Sequence, residues 1–195
     1  MWLTEGEEME YSLETLRQEY KQGKRYKFLL FNGHTPLPNG MISQSCLSQW
    51  WMKPFTVKGV TYSCAEQYMM AEKARLFRDE RIAEQIMRAK DSGSMKSLGR
   101  AVRNYDERVW EKNRQQIVRT ANKAKFSQNP ELLTFILRTQ DKILVEASPH
   151  DRIWGIGVDK NSPNADNPLR WKGLNLLGFA LTQVRDELIS EGANV

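Results

Sequence analysis

The chain has 195 residues, 40% hydrophobic and 27% charged, which suits one domain with a real core and excludes a wholly disordered tail. Lys and Arg number 29 against 24 Asp and Glu, a net charge of +5 that favours anionic partners such as phosphates without demanding nucleic acid. Two cysteines, Cys46 and Cys64, exclude a disulfide scaffold, and two histidines far apart in sequence, His34 and His150, exclude a His-rich metal site and disfavour a His-based triad.

In chain order, residues 1–10 carry Glu5, Glu7, Glu8 and Glu10, the opposite of a basic leader, and no stretch approaches a membrane span. The expectation is a cytoplasmic protein with no membrane partner and no need for a metal or cofactor. Met9, Leu13, Leu16 and Tyr20 recur at spacings of four, three and four and predict a helix over 9–22, closed near Gly23. Residues 1–26 therefore read as an N-terminal helical extension and 27–195 as the main domain. The apolar run 27–31 predicts a buried strand ended by Asn32-Gly33, followed by a long ordered loop to Ser48.

Residues 55–62 predict two short strands around a turn at Lys58-Gly59. Ser63 and Glu66 have the capping-box spacing and open a helix to about Phe77. From residue 79 the pattern stays helical for most of sixty positions, with breaks at 91–93, 104–106 and 128–130. A strand is predicted at 143–147, a loop rich in Asn, Pro and Asp at 159–168, and an amphipathic helix at 175–189. The whole is α+β, rich in helix with a few short strands.

Generic catalytic signatures are missing: there is no GxGxxG, Walker loop, HExxH or GxSxG. Glu66 and Lys73 lie seven residues apart, hence on one helical face two turns apart, with Met70 between them. The helix dipole favours a carboxylate at that start, and a Lys facing a half-buried pocket can lose basicity and become a nucleophile. From spacing alone, a capping Glu and a solvated Lys carry more weight. Asp151-Arg-Ile-Trp-Gly-Ile-Gly157 reads either as backbone brought close to a flat or phosphorylated ligand beside a stacking Trp154, or as a buried Trp in a tight turn. Asn175 reads as the cap of the last helix or as an amide aimed at a ligand, the cap being commoner. Trp50-Trp51 reads as a core plug before a stacking wall. Lys96, Arg100 and Arg103 share a helical stripe that is either solvated or receives a phosphate.

Taken as an ordered set, Phe28-Leu-Leu-Phe, Cys46-Leu-Ser-Gln-Trp-Trp, Phe55 to Tyr62, Ala65-Glu-Gln-Tyr-Met-Met-Ala-Glu-Lys-Ala-Arg, Lys125-Phe-Ser-Gln-Asn, the 151–157 motif and Trp171-Lys-Gly-Leu-Asn-Leu-Leu-Gly resemble the NADAR superfamily of YbiA-like proteins across residues 28–188. The resemblance implies that residues 27–195 form a YbiA-like domain with N-glycosidase activity on ribose joined to an amino-bearing base. The implied substrates are phosphoribosylamino-pyrimidine intermediates of riboflavin synthesis or ADP-ribose on guanine, free or within nucleic acid. It implies catalytic roles for Glu66, Lys73 and Asp151, and ligand contacts from Trp154 and Asn175. Gly155 beside Trp154, Arg100 on the basic stripe and Asn32 join them as expected ligand-binding positions. Departures from the family pattern fall at Gln67, where some members have His, at Ile156, where some have Asp, and at Asn32, where longer members have Trp. The competing expectation is a module that binds ADP-ribose or a related nucleotide without cleaving it.

Overall fold

A computed structural model describes residues 11–193; Met9 and the acidic start of the chain lie outside the described residues. The first helix, α1 (Leu13–Lys21), begins where Ser12 accepts the Thr15 N–H and stops before Gly23, whose φ of +98° suits a residue without Cβ. α1 is stitched to the rest of the chain. Leu16 is buried, Arg17 donates to the carbonyls of Pro168 and Trp171 at 3.0 and 2.7 Å, and the Tyr11 hydroxyl donates to Asp186 at 2.7 Å.

Two small sheets carry the strands. β1 (Phe28–Phe31) pairs in parallel with β4 (Ile143–Glu146), in register from Phe28 opposite Ile143 to Phe31 opposite Glu146. β2 (Phe55–Val57) and β3 (Val60–Tyr62) form an antiparallel hairpin. Its turn residues, Lys58 and Gly59, both have positive φ (49° and 79°), the geometry that matches strand twist in a two-residue hairpin.

The helices between β3 and β4 are α2 (Ala65–Leu76), α3 (Glu80–Arg88), α4 (Ser92–Arg100), α5 (Glu107–Ser127) and α6 (Pro130–Leu137); α7 (Leu176–Ser190) follows β4. The breaks expected at 91–93 and 104–106 fall where Asp91 and Asp106 accept backbone N–H groups of the next first turn, as Asp79 does for α3. The break expected at 128–130 falls at Asn129, whose side chain makes no cap, before Pro130 opens α6. α2 is the central helix. Eight of its twelve residues are buried, and α3, α4 and α5 pack around it, so it has no solvated face of the ordinary kind. A second cluster of buried residues lies between the β1–β4 pair, α1 and α7, built on Leu16, Ile143, Val145, Trp171 and Phe179. The architecture is the α+β arrangement expected from the sequence.

Two glycines allow the close approaches on which the interior depends. In α4, a Cβ on Gly99 would sit 2.0 Å from the Met70 sulfur of α2. In α7, a Cβ on Gly178 would sit 2.1 Å from the Leu144 carbonyl of β4, a backbone atom that has no rotamer to escape through. Gly178→Ala is therefore expected to lower stability by about 3 kcal/mol, the upper end of overpacking costs. Thermal and urea unfolding check this, and an unfolding midpoint equal to that of the parent chain would contradict it.

Candidate active site

The cavity that matters opens between α2, α4 and the loop after β4, with a volume of about 560 Å³, within the range of small-molecule sites. α2 supplies Glu66 and Lys73, α4 supplies Lys96 and Arg100, the end of β4 supplies Glu146, and the following loop supplies Asp151, Arg152 and Trp154. Trp50 closes the wall beside Glu66 and hydrogen-bonds its carboxyl group.

Glu66 reaches the cavity because the capping role expected of it is taken by its neighbour. Gln67 Oε1 accepts both the backbone N–H and the hydroxyl of Ser63, at 2.7 and 3.0 Å, and its amide donates to the carbonyls of Ile86 and Met87. The Glu66 N–H is satisfied by the carbonyl of Gln49 at 2.9 Å. That loop is held from α5. Lys125, fully buried, donates to the carbonyls of Cys46 and Ser48 at 2.6 and 2.9 Å, and Asn122 donates to Gln49 Oε1 at 2.8 Å. Burial lowers the Lys125 ammonium to about 8.

Burial dominates the electrostatics of the cavity. Glu66 is 3% exposed. Desolvation raises its pKa from 4.5 to about 7, against the pull of Lys96, of the Trp50 hydrogen bond and of Arg100, and with Asp151 adding to the rise. The helix dipole, which sequence alone suggested would stabilise the anion, is outweighed. Glu146 is raised further, to about 8, by burial and then by the charges of Asp151 and Glu66, with Lys96 opposing. Its Oε2 is buried without a hydrogen-bond partner. Lys73 is shifted the other way, below the ordinary lysine value, by burial and by the Arg100 charge. Its ammonium donates to the Gly99 carbonyl at 2.8 Å and lies 4.4 Å from the centre of the Tyr105 ring.

The structure brings Glu66, Lys73, Asp151, Trp154 and Arg100 to this one cavity. Asp151 also organises its own loop: its Oδ1 accepts the N–H groups of Ile153, Trp154 and Gly155 at 2.9, 2.7 and 3.4 Å. Three expected ligand contacts are elsewhere. Asn175 is fully buried, has positive φ and neither caps α7 with its side chain nor faces the cavity; its amide accepts from Glu146 N–H at 3.0 Å and donates to the Leu144 carbonyl at 3.1 Å. Gly155 is buried against β4, where a Cβ would lie 2.7 Å from the Glu146 carbonyl. Asn32 is exposed beyond β1, outside the cavity lining. Of the basic stripe, Lys96 and Arg100 face the cavity, whereas Arg103 is held by Asp79 in a two-point pair at 2.9 and 3.0 Å. Of the Trp pair, Trp51 is the core plug and Trp50 the cavity wall.

Sequence reasoning missed Glu146, whose only local signal is an acid ending an otherwise apolar strand. Gln67 and Ile156, the two departures from the family pattern in the motifs, both point away from the cavity; Ile156 is fully buried in the second core cluster. Among the described residues no group of three or more His, Cys, Asp and Glu is arranged to hold a metal ion, and no helix is long and apolar enough to cross a membrane.

The NADAR domain family matches residues 30–189. The N-glycosidase R617 of Acanthamoeba polyphaga mimivirus is 40% identical over 166 residues, 83% of this chain and 96% of that protein. The N-glycosidase YbiA of Escherichia coli K12 is 33% identical over 138 residues, 71% of this chain and 78% of YbiA. The NMR structure of E. coli YbiA covers 88% of this chain and 92% of that one with a TM-score of 0.66 and 25% identity. The riboflavin biosynthesis protein VVA0006 of Vibrio vulnificus is 32% identical over 142 residues, 73% of this chain and 35% of that longer protein. The chain belongs to the NADAR domain family, and its relatives R617 and YbiA are named N-glycosidases.

The raised acids have a consequence for stability. A carboxyl whose folded pKa lies above its unfolded value contributes stability that is complete below the unfolded pKa and is lost as pH rises through the folded one. For Glu146 that window runs from about 4.5 to about 8. Glu146→Gln is thus expected to unfold at a higher temperature than the parent chain at pH 9, by an amount worth a few kcal/mol (about 1.4 kcal/mol per pKa unit), with the gap closing by pH 5. Calorimetry across that range tests this, and a gap that does not change with pH would contradict it.

Proposed function

We propose that the chain hydrolyses the bond between ribose C1′ and an exocyclic amino group of a base, in phosphoribosylamino-pyrimidines or in ADP-ribosyl-guanine. The observation that carries this reading is the shared cavity of Glu66 and Lys73, an acid and an amine from one helix face with pKa values displaced toward each other. Ribose on an exocyclic nitrogen is an N,O-acetal whose C1′–O4′ bond opens to give an imine without a strong external acid. The neutral Lys73 amine adds to C1′ of that imine, the base departs as its free amine, and the Lys73–ribose imine is hydrolysed by water. Glu66, near neutrality at its midpoint, moves protons among the sugar oxygen, the departing nitrogen and water.

Trp154 and Trp50 supply flat surfaces for the base, and Lys96, Arg100 and Arg152 supply positive charge for phosphate. The Vibrio relative, a longer protein, is named a riboflavin biosynthesis protein, which favours the pyrimidine substrates; the same basic groups suit the diphosphate of ADP-ribose. A purely binding role is disfavoured because the departures at Gln67 and Ile156 remove no proton carrier from the cavity.

Wild-type protein offered both substrate types side by side is expected to release the free base from at least one. Borohydride added during turnover should attach the sugar to Lys73, detected by peptide mass, and Glu66→Gln should lower kcat about 100-fold or more while substrate affinity stays within a few-fold. Active enzyme that yields no adduct would remove the imine route and leave direct attack by a water activated by Glu66.

A further inference from the structure

The exocyclic nitrogen must gain a proton to leave as an amine, whether Lys73 or water holds C1′. We propose that Glu146 is the acid that delivers this proton, a role that rests on the N-glycosidase reading above and divides its proton transfers between two carboxyl groups.

Position comes first. Glu146 ends β4 and lines the same cavity as Glu66. Its backbone is fixed on both sides: the N–H donates to Asn175 Oδ1 at 3.0 Å and the carbonyl accepts the Ile156 N–H at 2.9 Å. The second of these ties Glu146 to the turn that carries Trp154, so the acid and the indole line the cavity as neighbours. The carboxyl itself is the unusual feature. Oε2 is buried with no protein partner, and a buried polar atom left open in this way is costly unless a ligand engages it. Gly155 has no Cβ where one would strike the Glu146 carbonyl at 2.7 Å, which keeps the Trp154 turn pressed against the acid.

Charge completes the argument. Asp151 and Glu66 push the Glu146 proton on and Lys96 pulls it off, while Lys73, Arg100, Arg152 and His150 line the cavity around them. With burial added, the acid form prevails at neutral pH, with a midpoint of about 8, whereas Glu66 sits near 7. In the step, the Glu146 O–H proton passes to the exocyclic nitrogen. The C1′–N bond breaks with its electron pair going to that nitrogen, and C1′ becomes doubly bonded to the Lys73 nitrogen as a protonated imine. Water then adds to C1′ and its proton returns to the Glu146 carboxylate. A second proton shift, from the new hydroxyl to nitrogen, expels the Lys73 amine and frees the sugar aldehyde.

The test uses the full chain and whichever of the two substrates the wild-type protein cleaves. Glu146→Gln should fold, checked by thermal unfolding, and lose kcat about 100-fold or more with KM within about threefold. Glu146→Ala should regain at least part of that loss when formate is added, since a small carboxylic acid can occupy the vacated space, whereas a residue needed only for shape gains nothing from formate. Wild-type turnover in Glu146→Gln, or a Glu146→Ala defect untouched by formate, would overturn the assignment. Full turnover in Glu146→Gln beside a silenced Glu66→Gln overturns the role of Glu146 alone; full turnover in both overturns the underlying reading of the site with it.

Discussion

Removal of the Glu66 carboxyl from water is the constraint around which the rest of the site is organised. A carboxyl in the first turn of a helix is ordinarily an exposed anion favoured by the dipole. Here α2 is enclosed by α3, α4 and α5, and the carboxyl is left with the Trp50 hydrogen bond and more distant cations. Desolvation exceeds their combined attraction, and the group becomes a weak acid that holds its proton near neutrality. The same enclosure lowers the basicity of Lys73 two turns on, so one packing arrangement prepares both an acid and an amine.

The part of the cavity wall at the end of β4 depends on α7 pressing against that strand. Gly178 permits the contact, and Asn175, in a left-handed conformation at the head of α7, joins its side chain to the backbone of Leu144 and Glu146. From there the Asp151 carboxylate gathers three N–H groups and sets the turn that places Trp154 at the cavity. Lys125 plays the comparable part for the Trp50 loop from α5. Apart from Asp151, which does both, the residues that hold the walls are distinct from those that line the cavity, and several of them fall inside the family motifs.

Much of the fold was legible because its signals are local. Asp91 and Asp106 start helices at two of the breaks that the sequence marks, and Lys58-Gly59 marks the tight turn between two short strands. The pairing of Glu66 with Lys73 was also within reach, since a spacing of seven on a helix requires a common face. What sequence could not reveal depended on partners distant in the chain. Gln67 rather than Glu66 reaches back to Ser63 because it also anchors to the end of α3. Arg103 leaves the basic stripe because Asp79 holds it, and Asn175 turns from ligand candidate to strut because β4 lies beside it. Glu146 is invisible as a functional acid until β4 is seen ending at the cavity.

The most direct measurement of the central claim is the protonation state of the Glu66 side chain in the unliganded protein. A pH titration of its carboxyl carbon by NMR, assigned by comparison with Glu66→Gln, should show a midpoint near 7. A midpoint at the ordinary value of about 4.5 would mean that the carboxyl is solvated and charged at neutral pH, and the account of an acid and an amine prepared by burial in one cavity would fail.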